Sequence, residues 1–267
     1  MKSRALVFSL SLLLLASACS TPAHTPNMRA TQSSTANDYG LLEISADFKE
    51  GTVPRDLKET RQEYHGWKSI GIVVEDNTII AVERGYTNYG EMEVENGIII
   101  GRDDGEWGGG IEFKPRSGSA YTILGENLFG FYTIEEKKFV ITERAYLGKY
   151  DHGRIYELIL ADNKWQAKKI FDIGGQPEAF LVVQDKLFIV TNDSLLLIKD
   201  GESKILIENA FWEPYFPFSQ NGMHYMGPLA PRSMVYGNHT IYIGMYGGMY
   251  AYDLQTGMEK WYDYLPE

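Results

Sequence analysis

Four short β-rich segments joined by tight turns recur along this chain of 267 residues, and that recurrence constrains the fold more than any single motif. Between Ala179 and Asn209 the segments AFLVVQ, KLFIVT, SLLLIK and SKILIE follow one another, each dense in aliphatic and aromatic residues. The same order fits Leu128 to Asp172, with LFGFYT, KKFVITE, GRIYELIL and KWQAKKIF. It fits again from Met234 to Tyr264, with MVYG, HTIYIGM, GMYAYDL and MEKWYDY, and more loosely from Met92 to Gly125. The second segments centre near Ile99, Val140, Phe188 and Tyr242, at spacings of 41, 48 and 54 residues. Four-stranded units of roughly 40–50 residues are the signature of β-propeller blades. Leu41 to Asp47 with Ile70 to Arg84 supply a fifth unit. The pattern therefore predicts an all-β fold, a β-propeller of about five four-stranded blades spanning residues 39–267, with a β-sandwich as the alternative.

Turn chemistry supports the same reading. Asp76-Asn77, Asn96-Gly97, Asp162-Asn163, Asn192-Asp193 and Asp200-Gly201 separate the segments, and Asn, Asp and Gly are the residues that tolerate the left-handed backbone of tight hairpins. Only Pro54 to Tyr64 reads as helical, and no strand–helix alternation appears, which disfavours a parallel sheet.

The last unit contains Ala251, Asp253, Thr256, Gly257 and Trp261 in the spacing A-x-D-x-x-T-G-x-x-x-W. This resembles the tryptophan-docking repeat of quinoprotein propellers. Thr256-Gly257 forms a turn between third and fourth strands, Asp253 accepts hydrogen bonds from it, and Trp261 packs between blades. Trp165 is an approximate equivalent. The resemblance implies a quinoprotein-like propeller but no quinone cofactor: the adjacent cysteine pair of many such enzymes is missing, and those enzymes need more blades.

The N-terminus carries Lys2 and Arg4, an apolar run from Ala5 to Leu15, and Ala16-Ser17-Ala18 before Cys19, the only cysteine. That order is a signal peptide over residues 1–18. It resembles the lipobox of bacterial lipoproteins, with Ala16 where leucine is usual. The resemblance implies lipidation of Cys19 and, with Ser20 following it, an outer-membrane protein on the periplasmic face. Two or three acyl chains anchor stably, at roughly 0.8 kcal/mol per buried methylene. Residues 19–38 form the lipidated cysteine and a flexible tether rich in Ser, Thr, Pro and Asn. Removal of residues 1–18 takes two positive charges and leaves a net charge of −13, which excludes non-specific nucleic-acid binding and suits a basic partner. With Cys19 consumed by lipid, no disulfide is expected.

Three segments are candidate sites. Asn209 to Arg232 is a long strand-free connection carrying Trp212, Tyr215, Phe216, His224 and Tyr225, either a set of binding anchors or a plug for the central channel. Arg144 to Gly153 is a polar insertion with Tyr146, Asp151 and His152. Arg102 to Gly110 packs Asp103, Asp104, Glu106 and Trp107 among glycines, a solvated turn, a partner contact or an oxygen-rich cation site. The histidines lack zinc-ligand spacing, and neither a nucleophile elbow nor a phosphate loop is present, so no catalytic, metal or cofactor site is expected. The reading that follows is a non-enzymatic binding or scaffold module for an envelope protein, with an inhibitor or immunity role as a variant. Trp212, Tyr215, Phe216, Tyr225, Tyr146, Asp151, His152, Asp104 and Trp107 are its expected contacts. The alternative is a carbohydrate-active enzyme, a glycosidase or lyase, using carboxylates such as Asp104, Glu143 and Asp151.

Overall fold

The computed structural model describes residues 40–55, 70–83, 89–143, 152–210, 212 and 229–266. These residues form an all-β, propeller-like structure of five sheets. In chain order the strands are β1 (Glu43–Ile44), β2 (Phe48–Gly51), β3 (Ile70–Glu75), β4 (Thr78–Glu83), β5 (Tyr89–Val94), β6 (Gly97–Arg102), β7 (Gly110–Pro115), β8 (Tyr121–Leu124), β9 (Asn127–Ile134) and β10 (Lys137–Glu143). There follow β11 (Arg154–Ala161), β12 (Lys164–Asp172), β13 (Pro177–Val183), β14 (Lys186–Thr191), β15 (Leu195–Lys199), β16 (Glu202–Ile207), β17 (Pro231–Gly237), β18 (Thr240–Met245), β19 (Gly248–Asp253) and β20 (Glu259–Tyr264).

Sheet I is β3-β4-β1, with β1 parallel to β4; sheets II, III and IV are the four-stranded meanders β5–β8, β9–β12 and β13–β16. Sheet V is β17–β20 with β2 added antiparallel to β20 as a fifth strand. The expected fifth unit is thus present with three strands, while β2, only a few residues from β1, closes a different sheet. The helix expected over Pro54–Tyr64 and the tether fall largely or wholly outside the described residues.

Alternation along the strands explains how the sheets stack. In β13, Ala179, Leu181 and Val183 face the core shared with sheet V, while Phe180 and Val182 face the core shared with sheet III. A strand buried on both faces reads as a continuous apolar run, and period two sends its side chains alternately to two neighbours. Four buried clusters of this kind join sheets II to III, III to IV, IV to V and V to I. The first strands of neighbouring sheets lie against one another. Burial falls from these strands outward: β13 is almost wholly buried, whereas most of β16 is exposed.

The two ends of the sheets differ. At one end, first and second strands are joined by two-residue turns in every four-stranded meander. Asp76-Asn77, Asp162-Asn163, Asp200-Gly201 and Asn238-His239 take positive φ at both positions, the geometry of type I′ turns that matches strand twist. At the other end lie the 103–109 connection of sheet II and the strand ends that residues 144–153 and 208–230 link. This end is the elaborated rim.

Candidate functional site

Hydrogen bonds join sheets II, III and IV to the linker that follows each of them. Asn127 Nδ2 donates to the Gly105 carbonyl at 2.8 Å, tying the 103–109 turn of sheet II to the start of sheet III. Gly153 N donates to the Gly175 carbonyl and Ile173 N to the Gly153 carbonyl. Gln176 N donates to Asn192 Oδ1, Ala210 N to the Asp193 carbonyl, and Trp212 Nε1 to the Thr191 carbonyl at 3.0 Å.

Glu126 stands in the linker between β8 and β9. Its Oε1 accepts from Arg154 Nη1 at 2.6 Å and Tyr156 Oη at 2.8 Å, and its Oε2 accepts from Thr142 Oγ1 at 2.7 Å. Arg154 also reaches Asp172 Oδ1 at 3.4 Å. Burial pushes the Glu126 carboxyl up, but the hydrogen bonds from Thr142, Tyr156 and Arg154 together with the guanidinium charge outweigh it and hold the group below its usual range. Burial and the Glu126 hydrogen bond push the Tyr156 phenol up to about 12. Glu126 is thus an ionised clamp, the opposite of a carboxyl kept protonated to act as a general acid.

The 102–110 segment forms a 3-10 turn over Gly105–Trp107. Asp103 is buried and accepts from Gly105 N at 2.9 Å, which fixes the turn. Gly105 and Gly108 adopt positive φ, leaving Trp107 at the apex with 93 % of its surface exposed. Asp104, exposed beside it, makes no side-chain capping bond. An indole held in water on a turn that its neighbours rigidify is a candidate contact residue, because Trp is enriched among residues that dominate binding energy.

The sequence-predicted residues divide sharply. Asp104 and Trp107 share this turn, and His152 lies exposed on the same rim, its Nδ1 against the Gly174 carbonyl at 3.1 Å. Trp212 does not fit the role of an exposed anchor: it is 1 % exposed, sits in the core between sheets IV and V, and meets the Tyr250 ring edge-on at 5.6 Å. Its apolar bulk and bonded indole N–H make it a core peg between sheets IV and V. Cys19, Tyr146, Asp151, Tyr215, Phe216 and Tyr225 lie outside the described residues.

Sequence reading missed the Glu126, Thr142, Arg154 and Tyr156 cluster. A signal was present in the repeats: Thr142 and Thr191 occupy matching places at the ends of second strands, and both are fully buried with bonded hydroxyls. Among the described residues no three His, Cys, Asp or Glu side chains stand together as a metal site, and no helix is long and apolar enough to cross a membrane. No protein-family model matches this chain, and no curated protein matches it in sequence.

Proposed function

We propose that this protein is a lipid-anchored outer-membrane binding or scaffold module that uses its elaborated rim to hold an envelope protein, without catalysis. The observation that carries the reading is Trp107, 93 % exposed on a turn fixed by Asp103 and Asn127 at the rim end of sheet II. A buried aromatic anchor typically supplies 2 kcal/mol or more to an interface. The net charge of −13 left after cleavage favours a basic partner and fast association with it. The sequence from Lys2 to Cys19 supports anchoring at the membrane by acyl chains. A carbohydrate-active enzyme is the weaker reading, because the sequence matches no catalytic motif and Glu126 is engaged by three donors within the fold.

The test is crosslinking and pull-down from solubilised envelope with wild-type protein and Trp107→Ala. Capture of one protein by the wild type and its loss in the variant, with the melting curve unchanged, is the expected result. Equal capture by both overturns the rim assignment. Metabolic labelling with a palmitate analogue tests the anchor: label on the wild type and none on Cys19→Ser is expected.

A further inference from the structure

A buried oxygen with no donor stands against the 103–109 turn. Asn127 is 4 % exposed, and its Oδ1 has no hydrogen-bond partner among the described residues. Its orientation is fixed from the other side of the amide. Nδ2 donates to the Gly105 carbonyl at 2.8 Å, so turning the amide over would set two acceptors face to face. Buried polar atoms are almost always served by protein, water or an ion, and one left alone marks a place where a ligand belongs.

Other oxygens gather there. A Cβ on Gly109 would collide with both Asn127 Oδ1 and the Arg102 carbonyl oxygen, so these two atoms converge on the bare side of that glycine. The Arg102 carbonyl belongs to the peptide that leads into Asp103. Asp103 is itself 4 % exposed, and among the described residues no Lys, Arg or His forms an ion pair with it. Gly105 holds both side chains on the one turn, Asp103 through its N–H at 2.9 Å and Asn127 through its carbonyl. A water molecule would serve Oδ1 alone. A cation serves Oδ1 and the buried carboxyl together.

We propose that this turn binds a calcium-class cation, with Asn127 Oδ1, the Asp103 carboxyl and the Arg102 carbonyl as its protein ligands and water completing the shell. Ca²⁺ takes carboxylate, amide and main-chain oxygens in irregular geometry, whereas Mg²⁺ demands a near-ideal octahedron. A single carboxyl among neutral oxygens places the affinity in the weak class, with Kd of about 10⁻⁴–10⁻³ M. The cation pins the turn that carries Trp107, but its binding stands or falls independently of protein capture there.

The test is calorimetric titration of the EDTA-treated full-length chain in detergent with CaCl₂ and with MgCl₂, alongside hydrogen exchange of the 103–110 amides. The expected result is saturable Ca²⁺ binding, weaker binding of Mg²⁺, and exchange that slows over 103–110 when Ca²⁺ is added. Asp103→Asn, which keeps the size of the side chain, and Asn127→Ala each lower the Ca²⁺ affinity about tenfold or more. Glu93→Gln, which removes an exposed charge from β5 of the same sheet, leaves it unchanged. If a ligand variant fails to fold, the exchange measurement on the wild type decides. Absence of saturable Ca²⁺ binding, which would leave water as the partner of Asn127 Oδ1, overturns the proposal. So does an equal loss of affinity in Glu93→Gln, or Ca²⁺-slowed exchange confined to residues outside 103–110.

Discussion

Phe48 lies opposite Tyr264, with ring centroids 5.6 Å apart, at the point where β2 joins β20 as the outermost strand of sheet V. Leu265 N donates to the Asp47 carbonyl at 2.7 Å just beyond this pair, so segments more than 200 residues apart are fastened together. The exposed Lys260–Glu50 ion pair across the same strands adds little, since such pairs are worth about 0–1 kcal/mol. The buried ring dominates.

Phe48→Ala is therefore expected to cost about 3–5 kcal/mol in urea unfolding. Amide exchange at Tyr262 and Tyr264 should accelerate with it, because those residues pair with β2. Unchanged exchange there would show that β2 contributes no closure.

Trp261 is 1 % exposed, and its Nε1 donates to Asp263 Oδ1 at 2.8 Å. Asp253 Oδ1 accepts from Gln255 N, Thr256 N and Thr256 Oγ1, which shapes the preceding turn. A Cβ at Gly248 would stand 2.6 Å from Trp261 Cζ2, so the indole fills the space that this glycine leaves. Trp261→Ala should cost about 3–5 kcal/mol by cavity formation. Gly248→Ala should destabilise as well, by overpacking against the same ring, by about 1–3 kcal/mol. A neutral result for Gly248→Ala in thermal melts would contradict this packing.

Ser233, 1 % exposed on β17, accepts with its Oγ a hydrogen bond of 2.7 Å from Ile72 N on sheet I. Ser233→Ala leaves that buried amide unsatisfied, at a cost of about 1–3 kcal/mol. Exchange protection of the Ile72 amide should fall in the variant.

For Glu126 the sign follows from its depressed pKa. The ionised carboxylate stabilises the fold fully above the ordinary glutamate value of 4.5, and that contribution is lost as pH falls through the lower folded value. Glu126→Gln should thus lower the urea midpoint at pH 7, and the gap from wild type should close in acid. A gap of the same size at both pH values would mean that the carboxylate charge is not the stabilising element.

Trp212→Ala and Trp107→Ala should separate two roles that look alike in sequence. The first removes a buried ring and is expected to cost about 3–5 kcal/mol of stability. The second removes a ring already in water, leaves the melting curve within about 0.5 kcal/mol of wild type, and acts only on capture.

The strands and turns were legible from the chain because their causes are local. Asp162-Asn163 or Asp200-Gly201 sets its hairpin through the backbone of those two residues, and apolar runs such as Leu187–Val190 mark a strand buried on both faces. The grouping into five units was legible for the same reason, since each meander pairs neighbours in sequence. Tertiary structure decided the rest. Whether Phe48 joins sheet I or sheet V depends on a partner strand more than 200 residues away. Whether Trp212 reaches solvent depends on the room between Thr191 and Tyr250, and Trp107 differs only because glycines and a buried Asp103 hold it outside. The Glu126 cluster arises where the linker leaving sheet II meets two strands of sheet III. Local preferences carry no information about which distant surfaces share an edge, because that is fixed by burial and hydrogen bonding summed over the whole fold.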